Sequence, residues 1–141
     1  MGNKYVIVLT ACINPGKMIH TSLTDVDIRR RQYKDALEFY LLQTDYPIVF
    51  VENSGTDISG DFRKFVDCGR LEFITFQGNE EFDRKKGKGY GEALILEYAL
   101  EHSLFVHQCD FLVKITGRLK LLNVNTVSYT HLRAHETELH L

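Results

Sequence analysis

Tyr5-Val-Ile-Val-Leu9 is a continuous run of apolar residues, and its three central residues are β-branched. A run of this length and composition predicts a strand that is buried on both faces, as strands of parallel sheets are. Similar runs occur at residues 48–51, 71–76 and 111–115, of which 71–76 alternates imperfectly between apolar and polar. The sequence therefore predicts four strands spread along the chain.

Helices are predicted between these strands. After a loop at residues 11–23, Thr24 can cap a helix that ends near Gln43, with Asp27 close to its positive end. A short helix is predicted at residues 59–66 and a longer, buried one at about residues 90–102. The alternation of strands and helices predicts an α/β, Rossmann-like fold with a mostly parallel sheet and helices on both faces. The apolar residues of the first helix recur at helical spacing: Tyr33, Ala36, Leu37, Tyr40 and Leu41.

Composition limits the class of protein. The 141 residues include 17 Lys and Arg and 19 Asp and Glu, so no overall basic charge indicates a nucleic-acid partner. Cys12, Cys68 and Cys109 form no Cys-x-x-Cys motif, which favours a reducing compartment and predicts neither a disulfide framework nor a zinc site. The first residues lack the basic flank and long apolar run typical of a signal peptide, and the run at residues 5–9 is too short to span a membrane. We therefore expect a cytoplasmic protein without a transmembrane segment, and contact with a membrane periphery stays open.

The last fifteen residues need separate treatment. Residues 127–137 resemble, residue for residue, the translation of a transposase-type sequencing adapter. We therefore exclude residues 127–141 from the predicted fold and function as an artefactual tail. Residues 1–126 are then expected to form one incomplete domain, whose natural gene continues beyond Thr126.

A glycine-rich basic loop precedes the last predicted helix. Residues 85–92 read Lys-Lys-Gly-Lys-Gly-Tyr-Gly-Glu. Glycine allows backbone N–H groups to turn toward one point, and the start of a helix leaves its first N–H groups unpaired. With lysines beside them, such groups are a candidate phosphate site. A solvated basic turn is the alternative, because Gly-x-Gly-x-Gly alone is a weak motif.

The carboxyl ends of parallel strands meet at one edge of a sheet, where such folds bind ligands. Polar or cationic residues follow the predicted strands at this edge, and the glycine loop follows the third strand. A nucleotide needs polar partners for its base and ribose, and positive charge for its diphosphate. The base and ribose are assigned to Thr10, Ala11, Glu52, Asn53 and Ser54. The diphosphate is assigned to Lys86, Lys88, Gly89, Lys114 and Arg118.

Three sequence blocks carry a family resemblance. They are Val-Glu-Asn-Ser-Gly at residues 51–55, Gly-Lys-Gly-Tyr-Gly-Glu at 87–92 and Lys-Ile-Thr-Gly-Arg at 114–118. Over residues 4–124 the chain resembles the donor-binding half of nucleotide-sugar glycosyltransferases of the GT-A fold, and more closely a group of bacterial proteins from surface-polysaccharide gene clusters. The resemblance implies transfer of a sugar from a nucleotide-diphosphate donor to a saccharide or lipid-linked acceptor. It also implies that the turn after the second strand, Glu52-Asn53-Ser54, reads the base.

One departure from the family pattern concerns metal. GT-A enzymes usually carry an Asp-x-Asp motif after the fourth strand, which holds a divalent metal on the diphosphate, whereas this chain has Lys114 to Arg118 there. Arginine and lysine can neutralise a departing phosphate in place of a metal. We interpret the missing motif as the sign of a metal-independent enzyme without cofactor. In such an enzyme Lys88, Lys114 and Arg118 would stabilise the leaving group. A divalent metal is the alternative, and Lys114 and Arg118 could instead be structural.

Two other functions compete with this one. A sugar nucleotidyltransferase would place a glycine-rich basic loop after the first strand, but residues 11–23 contain a single glycine. A non-catalytic nucleotide-binding module is the second alternative. The catalytic base is expected in the missing half, so the truncated chain is expected to be inactive. The donor sugar, the acceptor, the stereochemical outcome and the oligomeric state do not follow from the sequence.

Overall fold

The computed structural model describes residues 4–15, 23–78, 88–120 and 137–140. In chain order the elements are strand β1 (Tyr5–Ala11), helix α1 (Leu23–Gln43), strand β2 (Ile48–Glu52), a 3-10 turn (Ser59–Phe62), helix α2 (Arg63–Asp67), strand β3 (Leu71–Thr75), helix α3 (Lys88–His102), helix α4 (Leu104–His107), strand β4 (Phe111–Thr116) and strand β5 (Thr137–His140).

β1 lies at the centre of the sheet, whose strand order is β3-β2-β1-β4-β5. The first four strands are parallel, and Ile7 of β1 is paired with Ile48 of β2 and Val113 of β4. The prediction of an α/β, Rossmann-like fold is thus confirmed, with a four-stranded parallel sheet flanked by helices. Because β2 and β3 extend to one side of β1 and β4 lies on the other, the strand order reverses between β1 and β4.

Helices cover both faces of the sheet. α1 packs Leu37 and Tyr40 against the face of β1 that carries Ile7 and Leu9. α3 and α4 pack Ile95, Ala99 and Val106 against the opposite face, to which Val6 and Val8 belong. Successive side chains of a strand point to opposite faces, so an uninterrupted apolar run supplies two cores at once. The five apolar residues that the sequence selected in α1 are all buried: Tyr33, Ala36, Leu37, Tyr40 and Leu41.

The element boundaries differ from the prediction at several ends. β1 extends to Ala11 and β2 to Glu52, because these two residues pair across the strands. Ala11 and Glu52 therefore belong to the sheet and not to the loops in which the sequence placed them. α1 begins at Leu23, one residue before the proposed cap at Thr24. α4 was not predicted. No described helix combines the length and apolar character needed to cross a membrane.

The fifth strand comes from the segment that the sequence analysis excluded from the fold. Thr137–His140 pairs antiparallel with β4 and places His140 opposite Phe111. This pairing lies at the edge of the sheet, and the expectation that the tail takes no part in the core stays a prediction. An open sheet edge exposes N–H and C=O groups that can pair with an extended chain of unrelated sequence. The adapter origin of the tail stays a prediction.

Candidate functional site

A cleft of about 590 Å³ lies at the carboxyl end of β4. In open α/β sheets ligands bind at this edge where the strand order reverses, which here is between β1 and β4. The cleft is bounded by residues from α1, α3 and the segment after β4. Its lining residues are Gln32, Asp35, Glu92, Thr116, Arg118, Leu119 and Lys120.

Arg118 supplies a guanidinium group to this cleft. Its Nη1 donates a hydrogen bond to Oε1 of Gln32 at 3.1 Å, and its Cζ lies 5.7 Å from the centre of the Tyr33 ring. A guanidinium group has five N–H donors. Gln32 takes one of them and is the sole hydrogen-bond partner of this group among the described residues. Within the described part of the chain, the other donors of Arg118 are open to an anion, and a diphosphate contact would need such donors.

Lys114 is paired inside the protein. Its Nζ lies 2.6 Å from Oε2 of Glu92 on α3, and the Thr116 hydroxyl donates to Oε1 of the same carboxylate at 3.0 Å. These contacts join the first turns of α3 to the carboxyl end of β4. Glu92 therefore compensates the charge of Lys114, and Lys114 is not among the described residues that line the cleft. Glu92 was missed as a site residue, although it ends the Gly-Lys-Gly-Tyr-Gly-Glu block.

The start of α3 lies at the same edge of the sheet. Glu92 is four residues from the helix start at Lys88 and contacts Thr116, the last residue of β4. A helix of this length carries partial positive charge at its N-terminus, which favours anions. Lys88 and Gly89 lie in the first turn of α3, and their assignment to the diphosphate stays a prediction. Lys86 lies outside the described residues, so its assignment stays a prediction.

Glu52 is fully buried, and its carboxylate accepts four hydrogen bonds. Oε2 accepts from the Ile13 N–H at 2.7 Å and from the Ser54 hydroxyl, while Oε1 accepts from the N–H groups of Ser54 and Thr56, each at 2.8 Å. Two carboxylate oxygens offer about four lone-pair positions. With those positions taken, these contacts assign Glu52 to holding the loops after β1 and β2 together. They give no support to the expectation that it reads a base.

Ala11 and Ser54 also hold the same loops. The Ala11 carbonyl accepts from the Asn53 N–H at 3.1 Å, and the Ala11 side chain belongs to the α1-side core. The Ser54 hydroxyl accepts from the Asn14 N–H at 3.0 Å. Any contact of Ala11 with a ligand would therefore have to come from its backbone.

Thr10 and Asn53 each carry a buried polar atom to which the described residues supply no hydrogen bond. Thr10 is 2 % exposed and Asn53 is 7 % exposed, and neither Thr10 Oγ1 nor Asn53 Oδ1 has a hydrogen-bond partner among the described residues. Thr10 continues the face of β1 on which Val6 and Val8 pack toward α3. A buried polar atom left without a hydrogen bond costs about 1–3 kcal/mol. A ligand at this edge would supply the missing contacts.

The comparisons with known proteins are negative. No protein-family model, no curated protein and no solved structure matches the chain. Among the described residues, no group of three or more His, Cys, Asp or Glu side chains could hold a metal ion. The function therefore has to be argued from the site itself.

Proposed function

We propose that the chain is the donor-binding part of a nucleotide-sugar glycosyltransferase of the GT-A type, acting in surface-polysaccharide synthesis. The observation that carries this proposal is the cleft at the point where the strand order reverses, with Arg118 on its wall. The buried polar atoms of Thr10 and Asn53 at the neighbouring strand ends give further support. A nucleoside diphosphate offers both hydrogen-bonding groups and negative charge, which are what these residues can bind.

The proposed reaction needs positive charge where the diphosphate departs. An acceptor hydroxyl attacks the anomeric carbon of the donor sugar and gives its proton to a general base, while the bond from that carbon to the diphosphate oxygen breaks and the nucleoside diphosphate leaves with the bonding electron pair. Arg118 donates charge-assisted hydrogen bonds to the departing phosphates, and the N-terminus of α3 adds its partial charge. Lys114 contributes less than the sequence suggested, because Glu92 compensates its charge. No base is assigned among the described residues.

Calorimetric titration in the presence of a chelator tests the proposal. Uridine, guanosine, adenosine and cytidine diphosphates and their nucleosides are titrated into the wild type and into Arg118→Ala. Loss of a hydrogen bond to a charged group costs about 1.5–3 kcal/mol, so we expect diphosphate affinity to fall roughly ten- to hundredfold. Nucleoside affinity should change much less. Arg63→Ala, on the exposed surface of α2, is the matched control.

Two outcomes would contradict this proposal or its metal-independent form. Equal losses for nucleoside and diphosphate would mean that Arg118 supports the fold and not the phosphates. Affinity that vanishes in chelator and returns with manganese or magnesium would mean that a metal holds the diphosphate. For a longer protein that contains this chain, release of a nucleoside diphosphate from a sugar nucleotide is the expected activity, and release of pyrophosphate would indicate a nucleotidyltransferase.

A further inference from the structure

Tyr33 of α1 contacts both the loop after β1 and the turn after β4, and the latter carries Arg118 of the cleft. Tyr33 is 3 % exposed, and two guanidinium groups lie near its ring, with Arg29 Cζ at 5.9 Å and Arg118 Cζ at 5.7 Å from the ring centre. Its hydroxyl accepts a hydrogen bond from the Cys12 N–H at 3.0 Å. One side chain therefore contacts the loop after β1 and the turn after β4, which are separated by about a hundred residues of sequence.

The two arginines beside this ring have different partners. Arg29 donates from Nε to the carbonyls of Cys12 and Ile13, both at 3.2 Å, and from Nη2 to the Cys12 carbonyl. Its guanidinium is thus engaged by the backbone of the loop after β1. Arg118 donates to the side chain of Gln32. Of this pair, Arg118 is the one that lines the cleft.

Gly117 brings the turn after β4 close to Tyr33. A Cβ atom at Gly117 would lie 2.7 Å from the Thr10 carbonyl oxygen and 3.1 Å from Cδ1 of Tyr33. The Gly117 N–H donates to that carbonyl at 2.8 Å. Because only glycine fits this approach, the backbone that carries Arg118 is fixed against β1 and the Tyr33 ring. The position of Arg118 is thereby set from both its backbone and its side chain.

We propose that Tyr33 is a positioning residue that orients Arg118 toward an anion in the cleft and connects it to the loop after β1. The proposal rests on the proposed function in that the anion is taken to be the diphosphate of a nucleotide. A neutral ring can hold a guanidinium group on its face by cation–π attraction. The N–H groups at the edge of the guanidinium are then left to bind an anion. Burial raises the pKa of the Tyr33 hydroxyl, with the Cys12 N–H and the two arginines opposing this shift, so the side chain stays neutral at physiological pH.

The contact between Tyr33 and Arg118 can be measured without any ligand. A ring current shifts a proton above an aromatic face upfield, so the Arg118 Nε–H resonance in a ¹H–¹⁵N spectrum reports the stacking. We expect this shift in the wild type and in Tyr33→Phe, which keeps the ring. We expect its loss in Tyr33→Leu.

Pyrophosphate and uridine diphosphate then test what the contact does. Loss of a cation–π contact predicts about fivefold weaker pyrophosphate binding in Tyr33→Leu, against less than about twofold in Tyr33→Phe. Arg118→Lys keeps the charge but not the planar group, and it should weaken pyrophosphate binding to a similar extent. Tyr33 is a core residue, so its replacement by Leu can prevent folding. In that case the binding results for Arg118→Lys and Tyr33→Phe test the positioning role.

The outcomes separate this proposal from the function on which it rests. Wild-type affinity in Arg118→Lys, or equal loss in Tyr33→Phe and Tyr33→Leu, would overturn the positioning role. Absence of the upfield shift in the wild type would overturn it as well, whatever the binding result. A shifted Arg118 resonance in a protein that binds pyrophosphate but no nucleoside diphosphate would contradict the proposed function and leave the orientation of Arg118 toward an anion supported.

Discussion

Replacing Glu52 by Gln distinguishes a structural carboxylate from one that reads a nucleobase. The amide can keep its oxygen toward the N–H groups of Ser54 and Thr56, and its NH₂ group can donate to the Ser54 hydroxyl. The NH₂ group then faces the Ile13 N–H, so two donors oppose each other where a 2.7 Å hydrogen bond stood. Losing one buried hydrogen bond to a charged group costs about 1.5–3 kcal/mol. For a chain of this size the melting temperature should fall by about 5–12 °C.

Thermal and urea unfolding followed by circular dichroism measure this loss. Glu38→Gln is the matched control, because Glu38 lies on the exposed face of α1 and the same chemical change should leave stability within about 0.5 kcal/mol. Titration of nucleosides into both variants completes the comparison. We expect nucleoside affinity to fall in Glu52→Gln together with stability, because the loops after β1 and β2 are held by the same carboxylate.

A different pattern would refute this reasoning. If Glu52→Gln is as stable as the wild type but binds a nucleoside much more weakly, the carboxylate contacts the base directly. The hydrogen bonds from Ile13, Ser54 and Thr56 would then be weak or exchangeable with the ligand, and the expectation drawn from the sequence would stand.

Three further predictions concern the cleft and the tail. Gly117→Ala should lower the free energy of unfolding by about 1–3 kcal/mol in urea titrations, because its Cβ would meet the Thr10 carbonyl, whereas Gly60→Ala, which has open space, should not. Since the folded pKa of Tyr33 is raised, wild-type stability should fall as pH rises above about 10, and a Tyr33→Phe protein should lose less over that range. Deletion of residues 127–141 should change the melting temperature little, because a four-residue edge strand exchanges its backbone bonds for water; a fall beyond about 5 °C would show that the tail stabilises the domain.

The sequence by itself determined the parallel sheet and the edge that carries the site. The four parallel strands are short, largely apolar runs, and for a run such as residues 5–9 burial on both faces follows from local composition. The helical spacing of Tyr33, Leu37 and Tyr40 likewise predicts a buried face of α1, and these residues are buried. Once strands and helices alternate, the handedness of crossovers decides which strand ends meet. Arg118 could therefore be placed at the edge formed by the carboxyl ends of the strands before any contact was known.

The tertiary structure alone decided what each side chain at that edge does. Glu52 looks like a ligand-reading acid after a strand, yet its partners include the N–H of Ile13, 39 residues earlier. Lys114 looks like a free cation, yet Glu92 on α3 compensates it. Helical spacing says that Tyr33 is buried, but not that its ring lies against Arg118. The spacing of apolar residues predicts burial, because all residues on one face of a helix or strand are buried together. A hydrogen bond or an ion pair between side chains depends instead on where two elements distant in sequence meet.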